Sequence, residues 1–270
     1  MPTPITLIGP LFPSAGTHEE AADVGFRFGA KGTHTSRTIM LDELAALLAN
    51  MGPQTLKGQY SNAIIEGNCL AKNTVATRRL TSQRLTELYA LDSSVQIFRV
   101  LRHLWDVQEN GRPLLALLCA IARDPLLAAT IPAVLGLPAG ADFLRTPMKD
   151  ALRDSVGERL NEAILDKVTR NAASSWTQSG HLEGRTLKKR KIVEATPSSV
   201  SFALFLAHKA GLRGQDLFNS AWMAILDCAP ATGQQLALEA KSIGLIDLRM
   251  AGSIIDIRLD RLDPIYNRRI

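Results

Sequence analysis

The feature that most constrains the fold of this chain is helical spacing of apolar residues across positions 36–140, where no alternating strand pattern occurs. Leu41, Leu44 and Leu48 share one helical face, and Arg112 to Ala122 is nearly all apolar, which is typical of a buried central helix. Breaks such as Gly52-Pro53 separate the helical segments. We therefore expect residues 36–140 to form an all-helical bundle.

Capping and break residues predict where the helices of this bundle begin and end. Ser36 can cap the first helix, and Asn73 or Thr74 can cap the third. The predicted helices are Arg37 to the Gly52-Pro53 break, Thr55 to Glu66, Thr74 to Leu91, Val95 to Trp105 and Arg112 to Ala122.

Residues 146–197 predict a long helix followed by a basic strand segment. Apolar residues keep helical spacing from Glu158 to Ser179, and Gly180 can end the helix. Thr186 to Ala195 mixes apolar residues with a run of basic ones, which we interpret as a β-ribbon. Residues 1–35, rich in Gly, Pro, Ser and Thr, form an arm that is either ordered on the body or flexible.

The order of elements in residues 198–270 resembles a winged helix-turn-helix. Three predicted helices precede two short apolar segments joined by Ala251-Gly252-Ser253. The sequence thus predicts a mainly α protein: an N-terminal helical bundle, then a helical, winged helix-turn-helix-like region with short β-hairpins. The predicted elements are helices Ser198 to Ala210, Gln215 to Asp227 and Ala231 to Ile243, and strands Leu245 to Met250 and Ile254 to Leu259.

Composition excludes several classes of protein. A chain of 270 residues suggests about two domains. Three scattered cysteines do not make a disulfide framework, and no apolar run reaches the ~20 residues of a membrane span. The first residues also lack a secretory signal pattern. We expect a cytoplasmic protein that does not contact a membrane.

No catalytic or metal-ligating pattern stands out. The five histidines show neither i, i+4 pairing nor neighbouring cysteine pairs, and no Gly-x-Ser-x-Gly motif occurs. Ser175 has no base nearby in sequence, which leaves a partner in space open. We expect no enzymatic activity, no cofactor and no metal site.

Positive charge is concentrated in two stretches, which is typical of proteins that bind phosphate backbones. Residues 70–105 hold six basic and two acidic residues, and residues 167–191 hold seven basic and one acidic. The alternative is a solvated surface or pairing with carboxylates elsewhere. The candidate nucleic-acid-binding residues of these stretches are Lys72, Arg78, Arg79, Arg84, Arg185, Lys188, Lys189, Arg190 and Lys191.

A third candidate is the predicted recognition helix, Ala231 to Ile243. Gln234 and Gln235 could contact adenine edges, and Lys241 could contact a phosphate. Glu239 balances the charge of Lys241, so the same unit could equally dock a protein or form a dimer.

The segment from Ala63 to Leu80 resembles the BrxA family, small accessory proteins of bacterial BREX phage-exclusion systems. The matching positions are Glu66, Asn68, Leu70, Lys72 and Thr74, and the pattern continues through Arg78 and Arg79; Asn73 stands where the family has arginine. A looser likeness covers Leu165 to Gly184, and the resemblance as a whole spans about Thr35 to Leu187.

The resemblance implies a helical bundle like that of NusB, helix-turn-helix elements and double-stranded DNA binding without catalysis. It also implies partner proteins such as the system's ATPase and methyltransferase, and it carries over only Lys72, Arg78 and Arg79 as site residues. Two alternatives stay open: a protein–protein adaptor without DNA binding, and an RNA-binding protein. A homo-oligomer is also possible.

Overall fold

Most of the described chain is helical, and two short antiparallel sheets complete the fold. A computed structural model describes residues 11–12, 18–29, 32–252 and 254–265. The predicted class, mainly α with short β-hairpins, is confirmed.

The helices and strands are named in chain order. The helices are α1 (His18–Val24), α2 (Leu41–Asn50), α3 (Lys57–Ile65), α4 (Val75–Tyr89), α5 (Gln96–Trp105), α6 (Arg112–Arg123), α7 (Pro125–Ala128), α8 (Ile131–Leu135), α9 (Arg145–Val156), α10 (Glu162–Gln178), α11 (Pro197–Lys209), α12 (Ala221–Ile225) and α13 (Pro230–Ser242). The strands are β1 (Asp142–Phe143), β2 (Leu182–Glu183), β3 (Lys188–Arg190), β4 (Asp247–Ala251) and β5 (Ile254–Arg258).

Local capping explains where several helices begin and end. The Thr74 hydroxyl accepts a hydrogen bond from the Thr77 amide at 3.1 Å, so the predicted cap of α4 is confirmed. Asn161 caps α10 in the same way, and this helix starts later than predicted because residues 157–159 form a 3-10 turn. Gly180, with a φ of +90°, follows the end of α10 as expected.

Helix α2 begins four residues later than the predicted start at Arg37. The backbone of this segment is held by the body of the protein, because the Ile39 amide donates to the Ser175 hydroxyl at 2.9 Å. Met40, at the N-cap, has a φ of +53°, which a continuous helix through it would not allow.

The core is centred on α6, whose residues from Leu114 to Arg123 are all buried. Helices α4, α5 and α11 pack against it. The predicted central helix is confirmed. Its contact with α11 joins the bundle to the described residues from 198 onward, which we call the C-terminal unit. Part of the predicted arm also belongs to this core, since Phe26 is buried and its ring lies 6.3 Å from that of Trp222. Residues 1–10, 13–17 and 30–31 of the arm lie outside the described residues.

The predicted β-ribbon over Thr186 to Ala195 is wrong in extent. Only Lys188–Arg190 forms a strand, and this strand is the middle of a three-stranded sheet with the order β1-β3-β2. Phe143 pairs with Lys188 on one side, and Leu182 pairs with Arg190 on the other.

The C-terminal unit has the predicted order of helices followed by a hairpin, with one correction. The expected helix from Gln215 to Asp227 is divided into a 3-10 turn, Gly214–Leu217, and the short α12. Ser220 causes the break, because its hydroxyl caps α12 by accepting from the Met223 amide at 3.3 Å. Helix α13 then packs on α11, and β4 pairs with β5.

Within the described residues, no single helix has the length and apolar character that a membrane crossing needs. Two consecutive helical segments, Glu109–Arg123 and Pro125–Leu135, reach that length and apolar composition only when taken together, and the chain bends by 108° between them.

Candidate nucleic-acid interface

The basic residues predicted around α4 are largely engaged within the protein. The Lys72 ammonium lies 3.0 Å from Glu43, and the Arg84 guanidinium lies 2.7 Å from Glu87. Arg78 donates to the Ile65 carbonyl at 2.6 Å, whereas Arg79 is exposed. Of this group, Arg79 is thus the residue best placed to meet an external anion.

Arg190 does not lie on the surface, so its assignment to a phosphate-binding site is corrected. Its side chain is buried and forms an ion pair with the carboxylate of Asp227, whose side chain is 4% exposed. The guanidinium further donates to the Val134 carbonyl at 3.1 Å. Because both charges are removed from water and satisfied internally, Arg190 fastens β3 to α8 and to the C-terminal unit.

The two lysines beside Arg190 lie close to carboxylates. Lys189 pairs in register with Asp142 on β1 and with Glu183 on β2, and its ammonium is 3.8 Å from the Asp142 carboxylate. Lys191 lies 4.0 Å from Glu183. These side chains remain exposed, but the surrounding acids reduce the positive field at this face.

Lys188 and Arg185 lie at the turn that joins β2 to β3. The Lys188 ammonium donates to the Thr177 hydroxyl at 2.7 Å and to the Gly184 carbonyl at 3.0 Å. Partial burial lowers the pKa of Lys188, and the nearby charge of Arg145 lowers it further. Arg185 is exposed. The turn therefore brings Lys188 near Arg145, a basic residue that the sequence analysis did not select.

The predicted contact residues on α13 differ in their surroundings. The Gln234 amide donates to the Gln215 side chain at 3.2 Å, which ties it to the preceding turn. Gln235 and Lys241 are exposed. On the buried side, a side chain at Gly233 would come within 2.6 Å of the Met223 methyl group, so glycine permits the close packing of α13 on this unit.

A cleft of about 420 Å³ lies between the C-terminal end of α13 and the β4–β5 hairpin, and we call it the wing cleft. Its lining consists of four basic side chains, two carboxylates and one leucine: Lys241, Arg249, Arg258, Arg261, Asp247, Asp256 and Leu248.

The pairing of β4 with β5 explains why these charges share one face. Asp247 lies opposite Arg258, and Arg249 lies opposite Asp256, so the four side chains point to the same side of the hairpin. Arg261 lies 2.9 Å from Asp247. Sequence analysis selected Lys241 here and missed the three arginines, although the alternation of charged and apolar residues along both strands was a usable signal.

A second basic cleft of about 490 Å³ lies between α9 and α10. The Lys149 ammonium contacts two carboxylates, Glu162 at 2.7 Å and Asp166 at 2.6 Å. Arg145 and Arg170 are exposed at the same cleft. None of these cations was selected from the sequence, because they are spread over two helices.

Three buried side chains from distant parts of the chain form a Ser–His–Asp arrangement. His34 Nδ1 lies 2.8 Å from an Asp124 carboxylate oxygen, and His34 Nε2 lies 2.8 Å from the Ser175 hydroxyl. Burial raises the pKa of Asp124, but the charge and hydrogen bonds of His34 outweigh it, so the pKa lies below its ordinary value. Ser175 thus has a histidine as its neighbour in space, although none lies near it in sequence.

The surroundings of this triad are those of a structural network. All three side chains are buried, and the Ser175 hydroxyl also accepts from the Ile39 amide and donates to the Asn171 carbonyl at 2.9 Å. A substrate would have to displace residues 33–39 to reach the hydroxyl. The network accordingly holds the N-terminal segment on α10 and on the start of α7.

A second buried histidine, His181, is also held by internal hydrogen bonds. Its Nε2 lies 2.7 Å from the Ile225 carbonyl, and burial lowers its pKa to about 4. Among the described residues, no group of three or more His, Cys, Asp or Glu side chains is placed to hold a metal ion.

No protein-family model matches the chain, and neither does any curated protein. The mainly helical fold, the hairpin after α13 and the two basic clefts are therefore the features on which a functional proposal can be built.

Proposed function

We propose that this chain is a non-enzymatic, double-stranded DNA-binding accessory protein of a BREX-type phage-defence system, acting in the cytoplasm. The observation that carries the DNA-binding part is the wing cleft, where Lys241, Arg249 and Arg258 gather beside the exposed end of α13. Basic side chains that a helix and a hairpin present together can contact the phosphates that border a DNA groove.

Binding in this proposal depends mainly on phosphates and only weakly on sequence. The wing cleft supplies arginine and lysine, which neutralise phosphates, whereas α13 offers one exposed glutamine, Gln235, as a candidate for base contact. Arg79, Arg145 and Arg170 are additional exposed cations that can extend the contact along a duplex.

The phage-defence part of the proposal rests on the likeness of Ala63 to Leu80 to the BrxA family. In such a system the protein would recruit DNA to larger subunits, including an ATPase and a methyltransferase. Recruitment requires a folded protein with a charged surface, and it does not require catalysis.

Mobility-shift titrations of the full chain with a duplex test DNA binding. If four phosphates are neutralised, the logarithmic salt slope is about −3.6, so affinity falls about 100-fold between ~50 and ~200 mM salt. Single-stranded RNA should compete less well than unlabelled duplex DNA, because its lower charge density releases fewer counterions per phosphate contact. Affinity that does not change with salt, or displacement by equimolar RNA, would contradict the proposal.

An adaptor function is the second candidate, because exposed apolar side chains accompany the charges of the C-terminal unit. Ile254 is 72% exposed, and Leu238 and Ile243 are exposed on and just after α13. Such side chains commonly mark protein contacts. The adaptor alternative predicts no shift of duplex DNA at ~50 mM salt, so the same titration separates the two.

A further inference from the structure

Two arginines line the cleft between α9 and α10, which we call the α9–α10 cleft. Arg145 is the first residue of α9, and Arg170 lies near the middle of α10. Both side chains are exposed, and within the part of the chain that the structure describes neither guanidinium forms an ion pair with a carboxylate. The Arg170 Nε donates to the Asp166 backbone carbonyl at 3.3 Å, which leaves the terminal nitrogens of this side chain available to a ligand.

The acidic residues at this cleft are already paired with other cations. The Lys149 ammonium lies 2.7 Å from Glu162 and 2.6 Å from Asp166, and Asp166 belongs to the lining of the cleft. Arg153 also contacts Glu162, at 2.9 Å, and its own charge is balanced by Asp150 at 2.7 Å. The charges of the two arginines are therefore left uncompensated at the cleft.

Lys188 adds a further cation beside the cleft. Its ammonium donates to two neutral oxygens, those of the Thr177 hydroxyl and the Gly184 carbonyl, so these contacts do not cancel its charge. Burial lowers the pKa of Lys188, and the charge of Arg145 lowers it further, as expected for two cations that lie close together. Asp142 pairs with the next residue of β3 and therefore projects from the opposite face of the sheet.

The surplus of positive charge at the cleft matches a phosphate monoester. The three basic residues of the lining and Lys188 stand against the carboxylates of Asp166 and Glu162, so two positive charges are in excess. A phosphate monoester carries a charge of about −1.5 to −2 at pH 7, whereas a phosphodiester carries about −1. Guanidinium groups offer paired N–H donors whose geometry fits phosphate oxygens.

We propose that the α9–α10 cleft binds a phosphate monoester, with Arg145 and Arg170 as its main ligands and the Thr146 hydroxyl as a further donor. The cleft volume of about 490 Å³ lies within the range of about 300–1,000 Å³ that is usual for small-molecule sites. Two sources supply this group, a free nucleotide and the phosphorylated end of a nucleic-acid strand. Such a site goes beyond the proposed contact with a duplex backbone and is independent of the wing cleft.

The test measures the affinity of the full-length protein for adenosine 5′-monophosphate by isothermal titration calorimetry. The variant Arg145→Gln/Arg170→Gln should bind at least about tenfold more weakly, because it loses both guanidinium–phosphate contacts. Lys241→Gln/Arg249→Gln removes the same charge from the wing cleft and is the matched control, so its affinity for the nucleotide should be unchanged. Absence of nucleotide binding, no loss in the first variant, or an equal loss in both variants would overturn the site.

A methyl ester of the same nucleotide separates a monoester site from a diester site. Adenosine 5′-methylphosphate keeps the nucleoside but carries about one negative charge, so we expect at least about fivefold weaker binding. Lowering the pH from about 7 to about 5 should also weaken binding of the monophosphate, because its phosphate, with a second pKa of about 6, takes up a proton. Equal affinity for the ester and the monophosphate would overturn the preference for a monoester.

Two duplexes of the same sequence distinguish the sources of the phosphate, one with 5′-phosphate ends and one with 5′-hydroxyl ends. Displacement of the bound nucleotide by the phosphorylated duplex alone assigns the cleft to strand ends, and no displacement by either duplex assigns it to free nucleotides. Equal displacement by both would show a contact with the backbone, which overturns the monoester site and leaves the proposed DNA binding intact.

Discussion

The basic segment around β3, Lys188 to Lys191, and the wing cleft place their positive charges differently. The segment holds the densest run of cations in the sequence, Lys188 to Lys191, yet Arg190 is buried against Asp227 and two of its lysines lie near carboxylates. The cations of the wing cleft are scattered over 21 positions in sequence, from 241 to 261, but four of them line one cavity together with two carboxylates, so positive charge is in excess there.

This contrast shows that charge density along a chain is a poor measure of charge density at a surface. A strand in the middle of a sheet sends alternate side chains to opposite faces, so a run of cations is divided between solvent and interior. A hairpin brings residues of two strands to one face, so dispersed cations are gathered. Three variants, given from the largest expected effect to the smallest, test this comparison.

Replacement of Arg190 by methionine should destabilise the protein by about 3–5 kcal/mol, because Asp227 would stay buried without its partner. Urea unfolding followed by circular dichroism measures this loss. The double variant Arg190→Met/Asp227→Asn should recover part of it, as both charges are then removed. A loss below about 1 kcal/mol in the single variant would show that Arg190 is not a buried structural cation.

Replacement of Lys241, Arg249 and Arg258 by glutamine should weaken duplex binding without unfolding the protein. If all three contact phosphates, the salt slope becomes shallower by about 2.7, and affinity at ~100 mM salt falls about 100-fold or more. Fluorescence anisotropy over a salt series measures both quantities. An unchanged slope would exclude the wing cleft from the interface.

The smallest effect is expected for glutamine at Lys189 and Lys191, which serve as the charge-matched control at the β3 segment. Their neighbouring carboxylates already reduce the field, so duplex affinity should fall by less than about threefold, and stability should change by about 0.5 kcal/mol or less. The same anisotropy and unfolding measurements apply. A loss as large as that of the wing variant would reverse the comparison between the two regions.

The sequence predicted the helices better than the strands. Helix α4, with its Thr74 cap, and the buried α6 follow from apolar spacing and local capping, which act within a few residues. The division of the helix near Ser220 also has a local cause, but a serine hydroxyl competes with the helix only in some contexts. The three-stranded sheet joins segments that no local pattern connects.

The candidate interface could be predicted only in part. Exposed Lys241 and Gln235 were selected from helix position and residue type, but nothing near Arg190 in sequence indicates its partner, 37 positions away. Ser175 and His34 are separated by 141 positions, so the spacing of residues in the sequence does not predict their contact either. Residue types identify candidates, and long-range packing decides which of them reach solvent.

The separation of Arg190 from Asp227 has a consequence for the newly made chain. During synthesis the cationic strand leaves the ribosome before its acidic counterpart, and the guanidinium stays uncompensated until the last helices dock. Until then this stretch carries one more uncompensated positive charge than it does in the folded protein. Completion of the fold removes this charge from the surface.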